Sequence, residues 1–349
     1  MKYALIGCSR ISANHIKAAQ DNNLEIAAVS DIYPEKMSEI IERHNLNKEN
    51  IKQYTDYKIM LEEVKPDIVS IATGSGVHAK IALDCIENGV NVIIEKPMAM
   101  NIKDADAIIY ASKRKNVKVA VCHQNRFNPA VQKLRQAIED GKFGKLSHGS
   151  VHVRWNRNKD YYSQASWRGT WSQDGGCLMN QCIHSIDILR WMMGTEIETV
   201  YGQIRQQFHN YLETEDVGMA VITFKNGAIA TVEGTTNVYP RNLEETLYIF
   251  GENGTVKLGG KSMNSIEVWN FADEVGSEFD VAEHSGHCML FRDFIEAINN
   301  DREPYINAQA GKDALELVLA IYKSASENKP IKLPLLECST MDFVKMFDN

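Results

Sequence analysis

The sequence predicts an α/β protein in two parts: a doubly wound parallel sheet over residues 1–123, then an α+β part over 124–349 built on a large, mostly antiparallel open sheet. Two observations carry this. Through the first third, short unbroken apolar runs alternate with helix-length segments, which is the grammar of right-handed βαβ units. After Gly141 that grammar stops, and strands follow one another through glycine or Asn-Gly turns such as Asn226-Gly227. Such a sheet is usually covered on one face only.

The chain opens with strand Lys2–Ile6, the turn Gly7-Cys8-Ser9-Arg10-Ile11-Ser12 and helix Ala13–Asn22. Gly7 permits a tight turn, and the amides that follow face a pyrophosphate lodged on the helix N-terminus. Gly7, Ser9, Arg10 and Ile11 are therefore candidate cofactor residues. Strand Glu25–Ser30 stops at Asp31, 24 residues after Gly7, where a carboxylate accepts hydrogen bonds from an adenosine ribose diol. A 2′-phosphate would meet its negative charge, so the cofactor expected is NAD rather than NADP. Ser9 and Ser12 stand where the dinucleotide fingerprint has its second and third glycines.

Lys65-Pro66-Asp67 leads into strand Ile68–Ala72, which ends at Thr73-Gly74, and His78 opens the next helix. The run Val90–Ile94 suits a parallel strand buried on both faces, and it delivers Glu95-Lys96-Pro97 at its carboxyl end. Open α/β sheets keep their ligands there, so Lys96 is placed where a nicotinamide ring arrives. The plain alternative is a surface ion pair between Lys96 and Glu95. Strand Val117–Cys122 closes the sheet at His123-Gln124-Asn125-Arg126. Thr73, Gly74, His78, Glu95, Lys96 and Gln124 complete the strand-end candidates for cofactor contact.

Past Asn128-Pro129, helix Ala130–Asp140 ends at Gly141. Strands are expected at Leu146–Trp155, Thr199–Phe208, Val217–Phe224, Ala228–Thr236, Glu245–Phe250, Gly254–Leu258 and Ser265–Asn270. Helices Met289–Asn299 and Ala308–Asn328 follow. Between the first two strands, Asp174-Gly175-Gly176 runs into a helix carrying Asn180, His184 and Asp187. Asn180 and His184 are four apart and share one face, with Asp187 a turn further on. A core histidine satisfied by Asp187 is the plain alternative. Paired glycines at the helix start, which admit close approach by a ligand or by the first part of the chain, favour a cleft.

Composition narrows the function. A net charge of -8 argues against nucleic acid and anionic membranes as partners. No apolar stretch approaches the roughly 20 residues of a membrane span, and the N-terminus reads as a strand rather than a signal peptide, so a cytoplasmic location is expected. Seven scattered cysteines form neither a metal motif nor a disulfide framework. Cys177 and Cys182 read as small core residues. Against the acidic background, residues 152–171 carry Arg154, Arg157, Lys159 and Arg168 with Asp160 alone opposing them. Trp155, Tyr161, Tyr162 and Trp167 are interleaved, which suits stacking on a base or nicotinamide as well as sheet core with a solvated rim.

The strand-end Glu-Lys-Pro and the Gly-Gly-led helix with x-x-x-His-x-x-Asp, behind a nucleotide-binding part, resemble the glucose–fructose oxidoreductase/inositol dehydrogenase (Gfo/Idh/MocA) family over about residues 1–335. The run Arg154–Arg157, Tyr161-Tyr162, Trp167–Trp171, Asp174–Gly176, Met179–Gln181 and His184 resembles more narrowly the WlbA/WbpB dehydrogenases, as do Gln124–Pro129 and Val238–Glu245. The resemblance implies a Rossmann-type NAD domain and oxidation of C3 of UDP-N-acetyl-glucosaminuronic acid, an early step in making surface-polysaccharide sugars. It implies Asn125, Arg157, Tyr161, Arg168, Asn180, His184, Tyr239, Arg241 and Lys96 as substrate residues, with Trp167 and Arg168 able to touch cofactor as well. A homo-oligomer, a tetramer by resemblance, is expected to cover the open sheet. The resemblance implies 2-oxoglutarate as a reoxidant of bound NADH in some members of the subfamily; the sequence leaves open whether NADH is recycled in place here or leaves freely. Many relatives carry Asp where this chain has Asn180, a departure that removes a carboxylate from any Asp-His relay.

The chemistry stands beside the name. Oxidising a secondary alcohol requires hydride to leave carbon while a base takes the hydroxyl proton. His184 is the natural base, and Lys96 the group that steadies the alkoxide, with the reversed roles as the alternative. His287, after Ser285-Gly286, reads as a helix-start residue rather than a second base. A dehydrogenase of a free polyol such as inositol would not need the cationic, aromatic segment. A dinucleotide-dependent regulator would need no Lys/His pair.

Overall fold

The computed structural model describes residues 1–348 except 195, 261, 273 and 277–284. The chain divides into two compact units, Met1–Gln124 with Ser285–Lys312, and Asn125–His284 with Asp313–Asn349.

The first unit holds a six-stranded parallel sheet: β1 (Lys2–Ile6), β2 (Glu25–Ser30), β3 (Lys52–Tyr54), β4 (Ile68–Ile71), β5 (Asn91–Ile94) and β6 (Val119–Val121). The order is β3-β2-β1-β4-β5-β6, so the winding reverses between β1 and β4. All four residues of β4 are buried, as an apolar strand with helices on both faces requires. Helices α1 (Ser12–Asp21), α2 (Pro34–Arg43), α3 (Tyr57–Val64), α4 (His78–Glu87) and α5 (Ile102–Lys115) supply the crossovers. β3 has no apolar run because Lys-Gln-Tyr forms a partly exposed edge, and sequence reading passed over it.

The division differs from the one expected, because residues 285–312 come back to the first unit. Helix Gly286–Asn299 lays Phe291 against Tyr3 and His15, with ring centroids 5.8 and 5.7 Å apart. Asn22 Nδ2 donates to the Cys288 carbonyl at 3.0 Å, and the Val121 amide donates to the Ile306 carbonyl at 3.0 Å. This docking links residues far apart in the chain, so no local pattern announces it.

The second unit holds a nine-stranded sheet: β7 (Leu146–Arg154), β8 (Ile197–Arg205), β9 (Val217–Phe224), β10 (Ile229–Thr235), β11 (Glu244–Gly251), β12 (Gly254–Gly259), β13 (Ser265–Phe271), β14 (Glu274–Gly276) and β15 (Ile331–Lys332). The order is β14-β13-β12-β11-β7-β10-β9-β8-β15, antiparallel except where β7 meets β10. β8 is shorter than expected. The Asp216 carboxylate takes the amides of Gln207, Phe208 and His209 at 2.7–3.0 Å, which turns the chain out of the ladder.

Alternating burial along β9 and β10 marks one covered face. Glycines recur on that face. A Cβ at Gly149, Gly202, Gly218 or Gly234 would lie about 2.6–2.7 Å from Met193, Ile321, Leu178 or Cys182 respectively. Each strand therefore gives up a side chain so that helices Ile183–Met193 and Ala308–Glu327, and the turn before the first of them, can lie close to the sheet.

Candidate active site

At the carboxyl end of β1, Gly7 takes φ +93, and a Cβ there would lie 2.6 Å from the Ala72 carbonyl carbon. Only glycine fits so close to β4. The Asp31 carboxylate accepts from the Cys8 amide at 2.7 Å and the Tyr33 amide at 3.0 Å, which ties the turn to the end of β2. Helix α1 begins after Ile11 with no side-chain cap; the Ser12 and Asn14 amides turn back to the Ser9 and Ile11 carbonyls at 3.1 and 3.0 Å, and the positive end of the helix faces the turn. Ser9 and Arg10 are exposed and Ile11 half-buried. Ser12 is fully buried, and its hydroxyl returns to the Ser9 carbonyl, so the second serine closes the turn from within. A glycine cradle, an acid and an open helix start fit a dinucleotide.

Thr73 and Gly74 are half-buried after β4. His78 differs from its expected role in cofactor contact. It is 1% exposed, and its ring nitrogens lie 2.8 Å from the Pro97 carbonyl and 3.1 Å from the Thr73 carbonyl. Burial holds its pKa below the usual imidazole value. His78 thus fixes the two loops that carry the strand-end candidates. Gln124 is half-buried after β6.

Glu95 is buried and forms no surface ion pair with Lys96. His15 Nε2 and His287 Nε2 approach its Oε1 at 2.9 and 3.1 Å, and Oε2 accepts from the Lys96 amide at 3.2 Å. Burial works to raise the Glu95 pKa, but the hydrogen bonds from His15 and His287 outweigh it and hold the carboxyl well below the usual range. Burial lowers the His15 pKa, so its ring is neutral. Its Nδ1 has no partner, which suits the unprotonated nitrogen of a ring that donates through Nε2. The Cys122 thiol lies in the same cluster, whose four donor atoms fall within 4.8 Å of one another. A ring ligating a metal through Nε2 would have its Nδ1–H held by an acceptor; His15 has none, so the cluster reads as hydrogen bonding around one carboxylate. His287 does lie at a helix start, as expected, and it also braces Glu95.

In the second unit, Arg157 and Arg168 stack on Tyr161, with guanidinium carbons 5.1 and 4.2 Å from its ring centroid. Arg157 also lies 4.7 Å from the Trp155 ring, and Arg168 4.7 Å from Trp167. Arg157 Nε donates to Gln181 Oε1 at 2.9 Å, and Arg168 donates to the Tyr161 hydroxyl. Gln181 Nε2 reaches the Tyr161 hydroxyl at 2.8 Å and Asn180 Oδ1 at 2.9 Å. Asn180 Nδ2 donates to the buried carboxylate of Asp174, which also accepts from the Gly169 amide at 2.7 Å. The network therefore joins Arg168, Tyr161, Gln181, Arg157, Asn180 and Asp174. Gln181 and Asp174 were not singled out from the sequence; their position beside Asn180 and Gly175 was the available signal.

Other members of the cationic segment go elsewhere. Arg154 pairs with Glu233 and Glu244 on the sheet, Lys159 is exposed, and Tyr162 is core against Thr236 and His209. Tyr239 is 91% exposed and Arg241 is exposed, while Asn242 between them and β11 accepts from the Asn156 amide and from Arg157. Asn125 is half-buried at the start of the unit.

The helix and its lead-in differ from a plain amphipathic helix in winding and in partners. The Asp187 carboxylate takes Arg126 through Nε at 2.7 Å and Nη2 at 2.6 Å, a buried bidentate pair. Leu178–Cys182 is a π-turn, so the spacing of Asn180 and His184 is not that of a plain α-helix. Gly175 and Gly176 take φ +74 and +94, and the Glu215 carboxylate fills the space a side chain on Gly176 would need. His184 is half-buried. Cys177 and Cys182 are buried with sulfurs 3.8 Å apart, as core thiols. No helix among the described residues is long and apolar enough to cross a membrane.

Residues 1–123 match the family described as an oxidoreductase family with an NAD-binding Rossmann fold, and residues 131–257 match the GFO/IDH/MocA C-terminal domain. The chain is similar to the crystal structure of the WlbA dehydrogenase from Bordetella pertussis in complex with NADH and UDP-GlcNAcA: 34% identity, a TM-score of 0.87, and 96% of this chain and 99% of that one covered. Myo-inositol 2-dehydrogenase from Thermotoga maritima is 25% identical over 95% of this chain and 98% of its own length. The NAD(+)-dependent scyllo-inositol 2-dehydrogenase of Bacillus subtilis is 22% identical over 97% and 98%. Both halves of the fold and a full-length relative at one-third identity thus agree, and the chain belongs to the Gfo/Idh/MocA family as an NAD-dependent sugar or polyol dehydrogenase.

Proposed function

We propose that the protein oxidises the C3 hydroxyl of UDP-N-acetyl-glucosaminuronic acid to the 3-keto sugar. The observation that carries this is the pair Arg157 and Arg168, stacked on the two sides of the Tyr161 hydrogen-bond network with no carboxylate partner among the described residues. Arg114, Arg126, Arg135, Arg154, Arg190 and Arg302, by contrast, each pair with a carboxylate. Two guanidiniums left with an aromatic ring and amides suit an anionic ligand carrying a planar base. A free polyol has no charge to satisfy them. The one-third-identical WlbA dehydrogenase was crystallised with UDP-GlcNAcA, which agrees.

NAD, when bound, takes the hydride. In this reading the His184 imidazole takes the hydroxyl proton, and the Lys96 ammonium steadies the oxygen as charge develops. Asn180, fixed by Asp174 and Gln181, holds a sugar hydroxyl or amide in place. Following NAD reduction with UDP-N-acetyl-glucosaminuronic acid beside myo-inositol tests the assignment. Turnover of the nucleotide sugar is expected, and turnover of inositol alone would overturn it. Arg168→Ala is expected to raise KM for the nucleotide sugar roughly 10- to 100-fold, the loss of a hydrogen bond to a charged group.

A further inference from the structure

We propose that Glu215 is a positioning residue held in its protonated form, and that its proton and the Tyr322 phenol proton run in one chain that fixes the Gly175–Met179 turn beneath Asn180. This goes beyond the catalytic assignment and rests on it only in naming Asn180 as the group positioned.

The argument is a count of protons. Glu215 and Tyr322 are both fully buried. The Tyr322 hydroxyl oxygen lies 2.6 Å from the Gly175 carbonyl and 2.7 Å from Glu215 Oε1. It also accepts from the Met179 amide at 3.2 Å, while Glu215 Oε1 accepts from the Leu178 amide at 2.8 Å. A phenol has one proton and cannot serve two acceptors. With Glu215 ionised, one of the two short oxygen–oxygen contacts would carry no proton. With Glu215 protonated on Oε1, the carboxyl donates to Tyr322, Tyr322 donates to Gly175, and both contacts are satisfied. Oε2 is then a neutral carbonyl, and its lack of a partner costs far less than leaving an ionised oxygen dry. Burial agrees, pushing the Glu215 pKa up to about 8.

The geometry explains the two glycines. Gly176 has no side chain because the Glu215 carboxyl fills that space. The chain of protons ends on Gly175, one residue from Asp174, the carboxylate that holds Asn180. Ionising Glu215 breaks the chain at its source and loosens the turn from which the π-turn Leu178–Cys182 begins.

The test needs no substrate, so it fails independently of the proposed function. Infrared difference spectra of the whole protein are compared between wild type and Glu215→Gln. The wild type is expected to carry one protonated-carboxyl component that the variant lacks, bleaching as pH passes about 8, above the Glu245 titration near 7 that both share. Carbon-13 carboxyl labelling of glutamate in the wild type reads the same titration if the variant does not fold. Amide exchange then separates positioning from mere packing: in wild type, protection of Leu178 and Met179 is expected to drop at least several-fold above that midpoint, with amides of β1 and β4 unmoved, and Glu215→Gln is expected to show no such break. No glutamate titrating near 8, or protection of Leu178 and Met179 that ignores the titration, would overturn the proposal.

Discussion

Asp31 shows how much one side chain can settle. Its two oxygens already hold the Cys8 and Tyr33 amides, so the carboxylate is oriented before any ligand arrives. Asp31→Ala removes that orientation together with the charge. NAD binding is expected to weaken roughly 10- to 100-fold, about 1.5–3 kcal/mol for hydrogen bonds to a charged group. Fluorescence titration with NADH measures it, and an unchanged Kd would remove Asp31 from the cofactor site. Asp31 was readable because it lies at a fixed distance after Gly7, with only one strand and one helix intervening. The partners of Glu95 were not. His15 and His287 are separated from it by 80 and 192 residues, and no spacing rule spans such intervals. Reading Glu95 as a possible ion-pair mate of Lys96 followed from adjacency alone; burial of the carboxylate among ring nitrogens decides otherwise.

Among the elements, helix Ile183–Met193 was legible in place, while its partner Arg126 was not. Its apolar face lies on the sheet through the glycine column, and its Asp187 turns to Arg126 in the short helical turn Gln124–Phe127. The same guanidinium lies 4.8 Å from the Trp191 ring, so one arginine braces two turns of the helix. Arg126→Ala would leave a buried carboxylate uncompensated, at a cost of about 3–5 kcal/mol. Urea unfolding checks this, and a loss under about 1 kcal/mol would place the pair with weak surface bridges. The π-turn was beyond sequence reading. It answers to Glu215 and Tyr322, which reach it from β9's entrance and from helix Ala308–Glu327, and nothing in residues 178–182 alone signals them.

At the level of the whole molecule, buried acids set the pH response. Burial raises Glu215 to about 8 and Glu245 to about 7, against 4.5 for a solvated glutamate. The folded chain therefore keeps protons that the unfolded chain has lost. Their contribution to stability is fully present below about 4.5 and is lost as pH rises through 7 and 8. Glu95, held low, works in the other direction and loses its contribution only as pH falls into the acid range. The urea midpoint is expected to fall between about pH 6 and about pH 9, and Glu245→Gln is expected to flatten the lower part of that decline. A midpoint that does not fall over the interval would show both glutamates ionised in the folded state. The fold class was readable from alternation and turn residues, because each strand and helix carries its own signature. The return of residues 285–312 was not, because docking onto β1 and α1 depends on surfaces formed by distant segments.

That return has a consequence for biosynthesis. A ribosome releases the parallel sheet early, but Phe291 and His287, which close over Tyr3 and His15, emerge only after strands β7 to β14 have been translated. Until then the nascent nucleotide-binding half exposes an apolar patch and leaves Glu95 with one imidazole instead of two. Its final folding step waits on translation through residue 291, which makes the interval a natural point for chaperone capture.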